Sequence, residues 1–175
     1  MPVLKNVLGL DLGSHSIKAV ELQQSFRGTS AAQLRSLPRA DDEIPLPDLI
    51  RRFVQLHGLS AGHVVSALRA DRISSRRLSF PFADRRRLDQ AVAFEVEGDV
   101  AVEIDRVVVD WAIVGGDKTR AEVVAAIAPR AEVSELIETL RSAGCDPRTL
   151  EAEGFVLGNL AAAFDLPGAQ LLVDL

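Results

Sequence analysis

The chain has 175 residues, a formal net charge of −5, 47% hydrophobic residues and 26% charged residues. This composition is typical of a folded globular protein and excludes the disordered class. The acidic balance, the scarcity of aromatic residues and the absence of tyrosine argue against nucleic acid as a partner. One cysteine, Cys145, excludes an internal disulfide framework, and the three histidines show no metal-ligand spacing.

The N-terminal apolar run stops at Asp11, which is too short for a signal peptide or a membrane-spanning helix. We therefore expect a cytoplasmic protein. Two apolar runs in residues 7–22 flank a tight turn, which predicts a β-hairpin. Gly13 is expected to adopt positive φ and let the backbone approach a ligand closely.

The turn has the composition of a phosphate-binding loop. Residues 14–16 would offer backbone N–H groups and hydroxyls to an anion. Asp11 would bind the Mg²⁺ of a nucleotide through water, because Mg²⁺ keeps much of its hydration shell. The alternative is an ordinary hairpin whose Asp and Ser side chains only satisfy backbone groups of the turn.

The next predicted elements complete a first unit. Residues 30–37 are expected to form a third strand, 47–56 a helix with an apolar face, and 63–68 a buried strand. Gly58 is the expected stop of the helix.

A basic interval then opens a second unit with the predicted order strand, helix, strand, strand, helix. Asp84 is the expected N-cap of the first helix, which would run to about Val96. The other predicted elements are strands at 78–82, 106–114 and 121–128, and a helix from Arg130, with Pro129 in its first turn, to Gly144.

After this unit the chain is expected to return to the first one. A strand is predicted at 148–151 and a helix at 154–164. Residues 169–175 are an apolar run that ends in Asp-Leu, like Leu10-Asp11-Leu12 of the opening hairpin. This repeat suggests a fold of two similar halves, of which we expect the second to be almost wholly missing.

Four stretches carry a resemblance to a known family. They are Gly9–Leu22; Arg77–Phe82 with Ala93–Glu97; Val108–Trp111; and Ala143–Pro147 through Glu151 and Glu153. In this order they resemble PilM and GspL, the cytoplasmic actin-like proteins of type IV pilus and type II secretion machines. The resemblance implies the first half of an α/β, actin-like ATPase (ribonuclease H-like) fold with an inserted βαββα-type subdomain.

The resemblance also implies a division into domains. Residues 1–70 and 146–168 would form the first actin-like subdomain. Residues 71–145 would form the inserted subdomain, which resembles the interaction subdomain of the division protein FtsA. Residues 169–175 would begin the second actin-like half.

In this family the first phosphate loop would fall on Asp11 to Lys18, and the cofactor would be ATP with Mg²⁺. The implied cofactor-binding residues are Asp11, Gly13, Ser14, His15, Ser16, Lys18 and, in the second loop, Asp174. Lys18 would add a positive charge near the phosphates, or it is an outward-facing strand residue. Glu153 is a candidate for positioning a water, or it is a helix-N-terminal residue favoured by the helix dipole. Only half of the nucleotide site would be present.

The implied function is a cytoplasmic component of the inner-membrane assembly platform that links membrane partners to the motor ATPase. It would be no enzyme, or at most a weak ATPase when complete. The implied partners are the N-terminal peptide of a bitopic inner-membrane protein, the motor ATPase and a second copy of the chain. The protein would be peripheral to the membrane, or tethered by a later span if it is of the secretion type. The alternatives are an FtsA-like division protein and a phosphotransferase of the sugar-kinase branch.

The second unit has opposite charges on neighbouring elements. A run of arginines at 85–87 is followed by an acidic interval at 95–105. Such patches favour fast, oriented encounter with charged partners. The alternatives are a solvated surface with weak ion pairs and a contact with the anionic inner leaflet.

Overall fold

The structure, a computed structural model, describes residues 5–25, 28–39, 44–99, 103–163 and 168. Within these ranges the chain divides into two compact units. The first comprises the described residues up to Arg69 together with those from Leu136 onward, and the second comprises Ala70–Glu135.

Both units combine strands and helices. The described strands are β1 (Lys5–Leu12), β2 (Ser16–Ser25), β3 (Gly28–Pro38), β4 (Val64–Leu68), β5 (Ser74–Phe80), β6 (Val107–Gly116), β7 (Ala121–Pro129) and β8 (Pro147–Ala152). The described α-helices are α1 (Leu46–Leu56), α2 (Arg85–Asp99), α3 (Arg130–Ser142) and α4 (Glu153–Ala163). None of these helices is both long and apolar enough to cross a lipid bilayer.

The first unit is organised around a five-stranded sheet with the order β3-β2-β1-β4-β8. Strands β1, β2 and β3 form an antiparallel meander, whereas β4 pairs parallel with both β1 and β8. The carboxyl ends of β1, β4 and β8 therefore meet at one edge of the sheet. In open α/β sheets this edge is where ligands bind.

One face of this sheet is covered by a hydrophobic core. Side chains alternate between the two faces of a strand, and alternate residues in the central parts of β1, β2 and β4 are buried on the face that α1 and the end of α3 cover. The buried residues on these elements include Leu8, Leu10, Ile17, Ala19, Val64, Ile50, Phe53 and Leu140. The intervening residues of the same strands lie on the opposite face, where the candidate site is found.

The second unit is a three-stranded antiparallel sheet with the order β5-β7-β6, and α2 packs against it. Leu88, Val92 and Val96 are buried at helical spacing. The backbone N–H of Arg87 donates to Asp84 Oδ1 at 3.0 Å, so the predicted N-cap is confirmed.

The predicted elements within the described residues are confirmed in type and order, with shifts at several of their ends. Strand β5 is Ser74–Phe80, where a strand was expected at 78–82. Pro129 is the last residue of β7 and not part of the first turn of α3. Helix α2 continues past Val96 to Asp99. The boundary between the units lies within α3 and not after it, because Leu140 and Cys145 are buried in the core of the first unit. Residues 169–175 lie outside the described residues.

Cys145 is fully buried in the first core, and this burial raises the pKa of its thiol above the ordinary value of 9.0. We expect the native thiol to react much more slowly with an aromatic disulfide reagent at pH 8 than the thiol of the urea-unfolded chain does, because the thiolate is the reacting species. A raised folded pKa stabilises the fold fully below the unfolded pKa, and this contribution is lost as the pH rises toward the folded pKa. Equal rates in the native and unfolded chains would contradict the burial.

Candidate functional site

A cavity of about 340 Å³ lies in the first unit, at the face of the sheet opposite the core. Its ionisable lining is Asp11, Lys18, Glu151 and Glu153. The other residues that line it are Gly9, Leu10, Ala19, Val20, Leu34, Val65, Ser66, Ala67 and Val156. Three of the residues predicted to bind nucleotide or water thus share one cavity.

The sheet register explains why these residues meet. Asp11 is directly opposite Lys18 in the β1–β2 pair, and both follow the alternation that points away from the core. The buried Ser66 Oγ donates to the Leu10 carbonyl at 2.8 Å. This hydrogen bond holds β4 against the end of β1. Glu153 begins α4 directly after β8, so it lies at the same carboxyl edge.

Asp11 and Lys18 form an ion pair in which Oδ2 and Nζ are 3.4 Å apart, with side chains 49% and 59% exposed respectively. At this exposure the pair contributes about 0–1 kcal/mol to stability. Glu151 and Glu153 also line the cavity, which therefore has more carboxylates than ammonium groups. An anionic ligand would therefore need to enter with a cation, which is how nucleotide phosphates bind as their Mg²⁺ complex.

The turn between β1 and β2 differs from the prediction at Gly13. The positive-φ glycines of the described chain are Gly28, Gly58, Gly116, Gly144 and Gly168, so the expected positive φ at Gly13 is wrong. Glycine is needed there for space, because a Cβ atom would lie 2.9 Å from the Ser16 carbonyl oxygen. The tight closure of the hairpin, and not a left-handed backbone, sets this requirement.

Arg39 holds the turn from the end of β3, and sequence reasoning missed this residue. Its guanidinium Nη1 donates to the Gly13 carbonyl at 3.1 Å, and its backbone N–H donates to the His15 carbonyl at 2.8 Å. The β2–β3 register, in which Ser16 is opposite Pro38, brings Arg39 to this place. The available signal was its position directly after the predicted third strand.

With these two carbonyls engaged, the amide groups of the turn remain available. Among the described residues, no acceptor is hydrogen-bonded to the backbone N–H of Gly13, Ser14 or His15. Successive unpaired N–H groups beside a cationic side chain are the chemistry of an anion-binding nest. The turn therefore leaves these amides available to donate to an anion, with the Arg39 side chain nearby.

The remaining predicted site residues either do not line the cavity or lie outside the described residues. Ser14, His15 and Ser16 do not line the cavity, and Ser14 Oγ lies 2.8 Å from His15 Nδ1 at the exposed tip of the turn. Asp174 lies outside the described residues. Within the described part of the chain, no three His, Cys, Asp or Glu side chains are grouped as a protein-built metal site would require.

We expect Arg39→Ala to loosen the turn, because it removes a charge-assisted hydrogen bond that joins residues distant in sequence. In ¹⁵N relaxation measurements the order parameters of Ser14 and His15 should fall below about 0.6. The matched control is Arg35→Ala on β3, since within the described part of the chain the Arg35 side chain donates only to the carbonyl of its neighbour Leu34. Unchanged order parameters in the Arg39 variant would mean that the backbone bond alone holds the turn.

Comparison with known proteins gives matches among solved structures. No family model matches the chain, and no curated protein matches it. A structure described as the PilM-PilN type IV pilus biogenesis complex is 26% identical with a TM-score of 0.78, covering 90% of this chain and 50% of that one. The cytoplasmic domain of EpsL, an inner-membrane component of the type II secretion system of Vibrio cholerae, is 16% identical with a TM-score of 0.54, covering 84% and 57%.

These neighbours confirm the resemblance inferred from the sequence, which was to PilM- and GspL-like actin-like proteins. The α/β, actin-like fold is likewise confirmed. The chain spans about half the length of the solved structures that it matches.

Proposed function

We propose that this PilM/GspL-like chain, with its actin-like fold, belongs to a cytoplasmic component of the inner-membrane assembly platform of a type IV pilus or type II secretion machine. The observation that carries the proposal is the similarity to the PilM-PilN complex over 90% of the chain. The second neighbour, EpsL, is also part of an inner-membrane machine. Both support a structural role in such an assembly.

Of the two machines, we favour the type IV pilus. The similarity to the pilus complex has a TM-score of 0.78 at 26% identity, compared with 0.54 at 16% for the secretion protein. The similarity to the secretion protein is one of fold alone, whereas the similarity to the pilus complex also extends to the sequence. The preference concerns which machine the chain serves and leaves the proposed platform role unchanged.

The proposed cofactor is ATP with Mg²⁺, held at the candidate site. Asp11 would orient the hydrated cation, Lys18 would add positive charge, and the amides of the Gly13–Ser16 turn would bind a phosphate. When bound, the nucleotide would serve to change the conformation of the protein, with at most slow hydrolysis. Glu153 lines the same cavity and would position a water in that case.

The proposed partners are the N-terminal peptide of a bitopic inner-membrane protein and the motor ATPase of the same machine. Through them the protein would lie at the cytoplasmic side of the inner membrane. We assign the contact with partners to the second unit, Ala70–Glu135, because the resemblance to the FtsA interaction subdomain falls there. Self-association of the protein is a further proposal of the same kind.

The test is retention of the protein on immobilised N-terminal peptides. One peptide comes from the bitopic inner-membrane protein of the pilus machine of the same cell, and the matched peptide comes from its secretion machine. We expect retention on the pilus peptide at low salt. Retention on the secretion peptide alone would reassign the machine, and retention on neither would contradict the platform role.

A further inference from the structure

The second unit contains three arginines that differ from all its others. Six of its arginines form an ion pair with a carboxylate or donate to a backbone carbonyl of the described residues: Arg72, Arg76, Arg77, Arg106, Arg120 and Arg130. For Arg85, Arg86 and Arg87, no carboxylate of the described residues lies within ion-pair distance. All three side chains are exposed. In a chain of net charge −5, three consecutive arginines that pair with none of the described carboxylates leave their charge for a partner that supplies the acids.

Two of these guanidinium groups are held on aromatic rings. The Arg85 Cζ atom lies 5.2 Å from the ring centroid of Trp111, and the Arg87 Cζ atom lies 4.3 Å from that of Phe82. A cation–π contact engages the positive charge of a guanidinium and still leaves N–H groups for a carboxylate. The rings therefore restrict the side chains while the donors stay available.

The amide groups at the start of α2 are not what defines this surface. Asp84 already caps the helix by accepting from the Arg87 backbone N–H. The surface instead continues along the helix to Phe94, whose side chain is 75% exposed. Phe94 is seven residues, about two turns, beyond Arg87 and therefore lies on the same side of α2. An exposed phenylalanine beside unpaired cations is typical of a binding surface.

We propose that Arg86, Arg87 and Phe94 bind an acidic segment of a partner protein, with Arg85 adding positive charge at the start of the helix. Its carboxylates would pair with the guanidinium groups, and one apolar side chain would cover Phe94. Seven helical residues span about 10 Å, which an extended segment covers in about three residues. The segment therefore has two or more acidic residues followed, about three positions away, by an apolar residue.

The other anionic partner is a lipid surface, and the charges of α2 disfavour it. Glu97 is exposed within one turn of Phe94, and Asp89 and Glu95 are exposed on the same helix. A flat anionic bilayer that contacted Phe94 would meet the Glu97 carboxylate and be repelled. A peptide has no such difficulty, because it can follow the line from the arginines to Phe94.

The test uses the protein at its full encoded length and a fluorescein-labelled synthetic peptide, Asp-Glu-Asp-Gly-Ser-Leu-Phe. The matched peptide has Asn-Gln-Asn in place of the acids. By fluorescence anisotropy at low salt we expect at least tenfold weaker binding of the neutral peptide. Trp111 is the single tryptophan of the chain and carries Arg85 on its ring, so its emission should change with the unlabelled acidic peptide only.

Two variants locate the binding. Arg86→Glu should weaken acidic-peptide binding about fivefold or more. The matched control is Arg52→Glu on α1 of the first unit, which should weaken this binding less than about twofold. Phe94→Ser should weaken binding without altering its salt dependence, because it removes no charge. The circular dichroism and Trp111 emission of each free variant check that it folds.

The proposal is overturned if the acidic and neutral peptides bind alike, if Arg86→Glu binds as the unsubstituted protein does, or if no binding is detected at low salt. Vesicles of phosphatidylglycerol form the last arm. Retention on vesicles that Arg86→Glu abolishes, without peptide binding, would assign the surface to lipid. The proposal refines the partner-binding role given above to the second unit. Its failure leaves the platform role standing, because the pull-down on inner-membrane peptides is independent of it.

Discussion

Replacing Phe53 with alanine is expected to lower the free energy of unfolding of the first unit by about 3–5 kcal/mol. Phe53 is 1% exposed and lies in the core between α1 and the sheet. Its ring also meets the His57 ring edge-on, with centroids 5.1 Å apart. A loss of this size is a large share of the about 5–15 kcal/mol that stabilises an ordinary domain.

The control for this change lies three residues along the same helix. Leu56 is 78% exposed, so Leu56→Ala should alter the free energy of unfolding by no more than about 0.5 kcal/mol. Urea unfolding followed by far-ultraviolet circular dichroism measures both variants. A loss under about 1 kcal/mol for Phe53→Ala would mean that the core can close over the deleted ring.

The single tryptophan gives the same experiment a second readout. Trp111 belongs to the second unit, and Phe53 belongs to the first. If the two units are separately stable, Phe53→Ala should shift the urea midpoint reported by Trp111 emission less than the midpoint reported by circular dichroism. Equal shifts by both probes would mean that the units unfold as one cooperative body.

The sequence predicted the elements well because their signals are local. The alternation in the opening hairpin, the apolar face of α1 and the Asp84 cap each depend on residues within a few positions of one another. Each of these features can be derived without knowing what the rest of the chain does.

The parts that were missed depend on distant residues. Arg39 reaches Gly13 only because β2 and β3 pair in one register. Helical periodicity finds α3 but does not say which core it joins, and Leu140 places its end in the first unit. The cavity that contains Asp11 and Glu153 needs the parallel pairing of β1, β4 and β8, which is a property of the whole sheet.

Asp11→Ala is expected to weaken the binding of fluorescent ATP in the presence of Mg²⁺ at least tenfold, measured on the protein at its full encoded length. The physical reason is that a carboxylate orients the hydrated cation that lets a triphosphate approach an acidic cavity. The substitution has an opposing effect, because it releases Lys18 from its ion pair with Asp11. Free Lys18 would attract phosphate more strongly in the absence of Mg²⁺.

The two effects are separated by titrating with Mg²⁺ and with a chelator. If Asp11 serves the cation, Asp11→Ala loses affinity with Mg²⁺ and keeps or gains affinity without it, and Lys18→Ala loses affinity in both conditions. If Asp11 is only the partner of Lys18 in an ordinary hairpin, Asp11→Ala has the same effect in both. The control is Asp48→Ala, which removes an aspartate of similar exposure that pairs with Arg51 on α1. Its affinity should equal that of the unsubstituted protein, because Asp48 does not line the cavity.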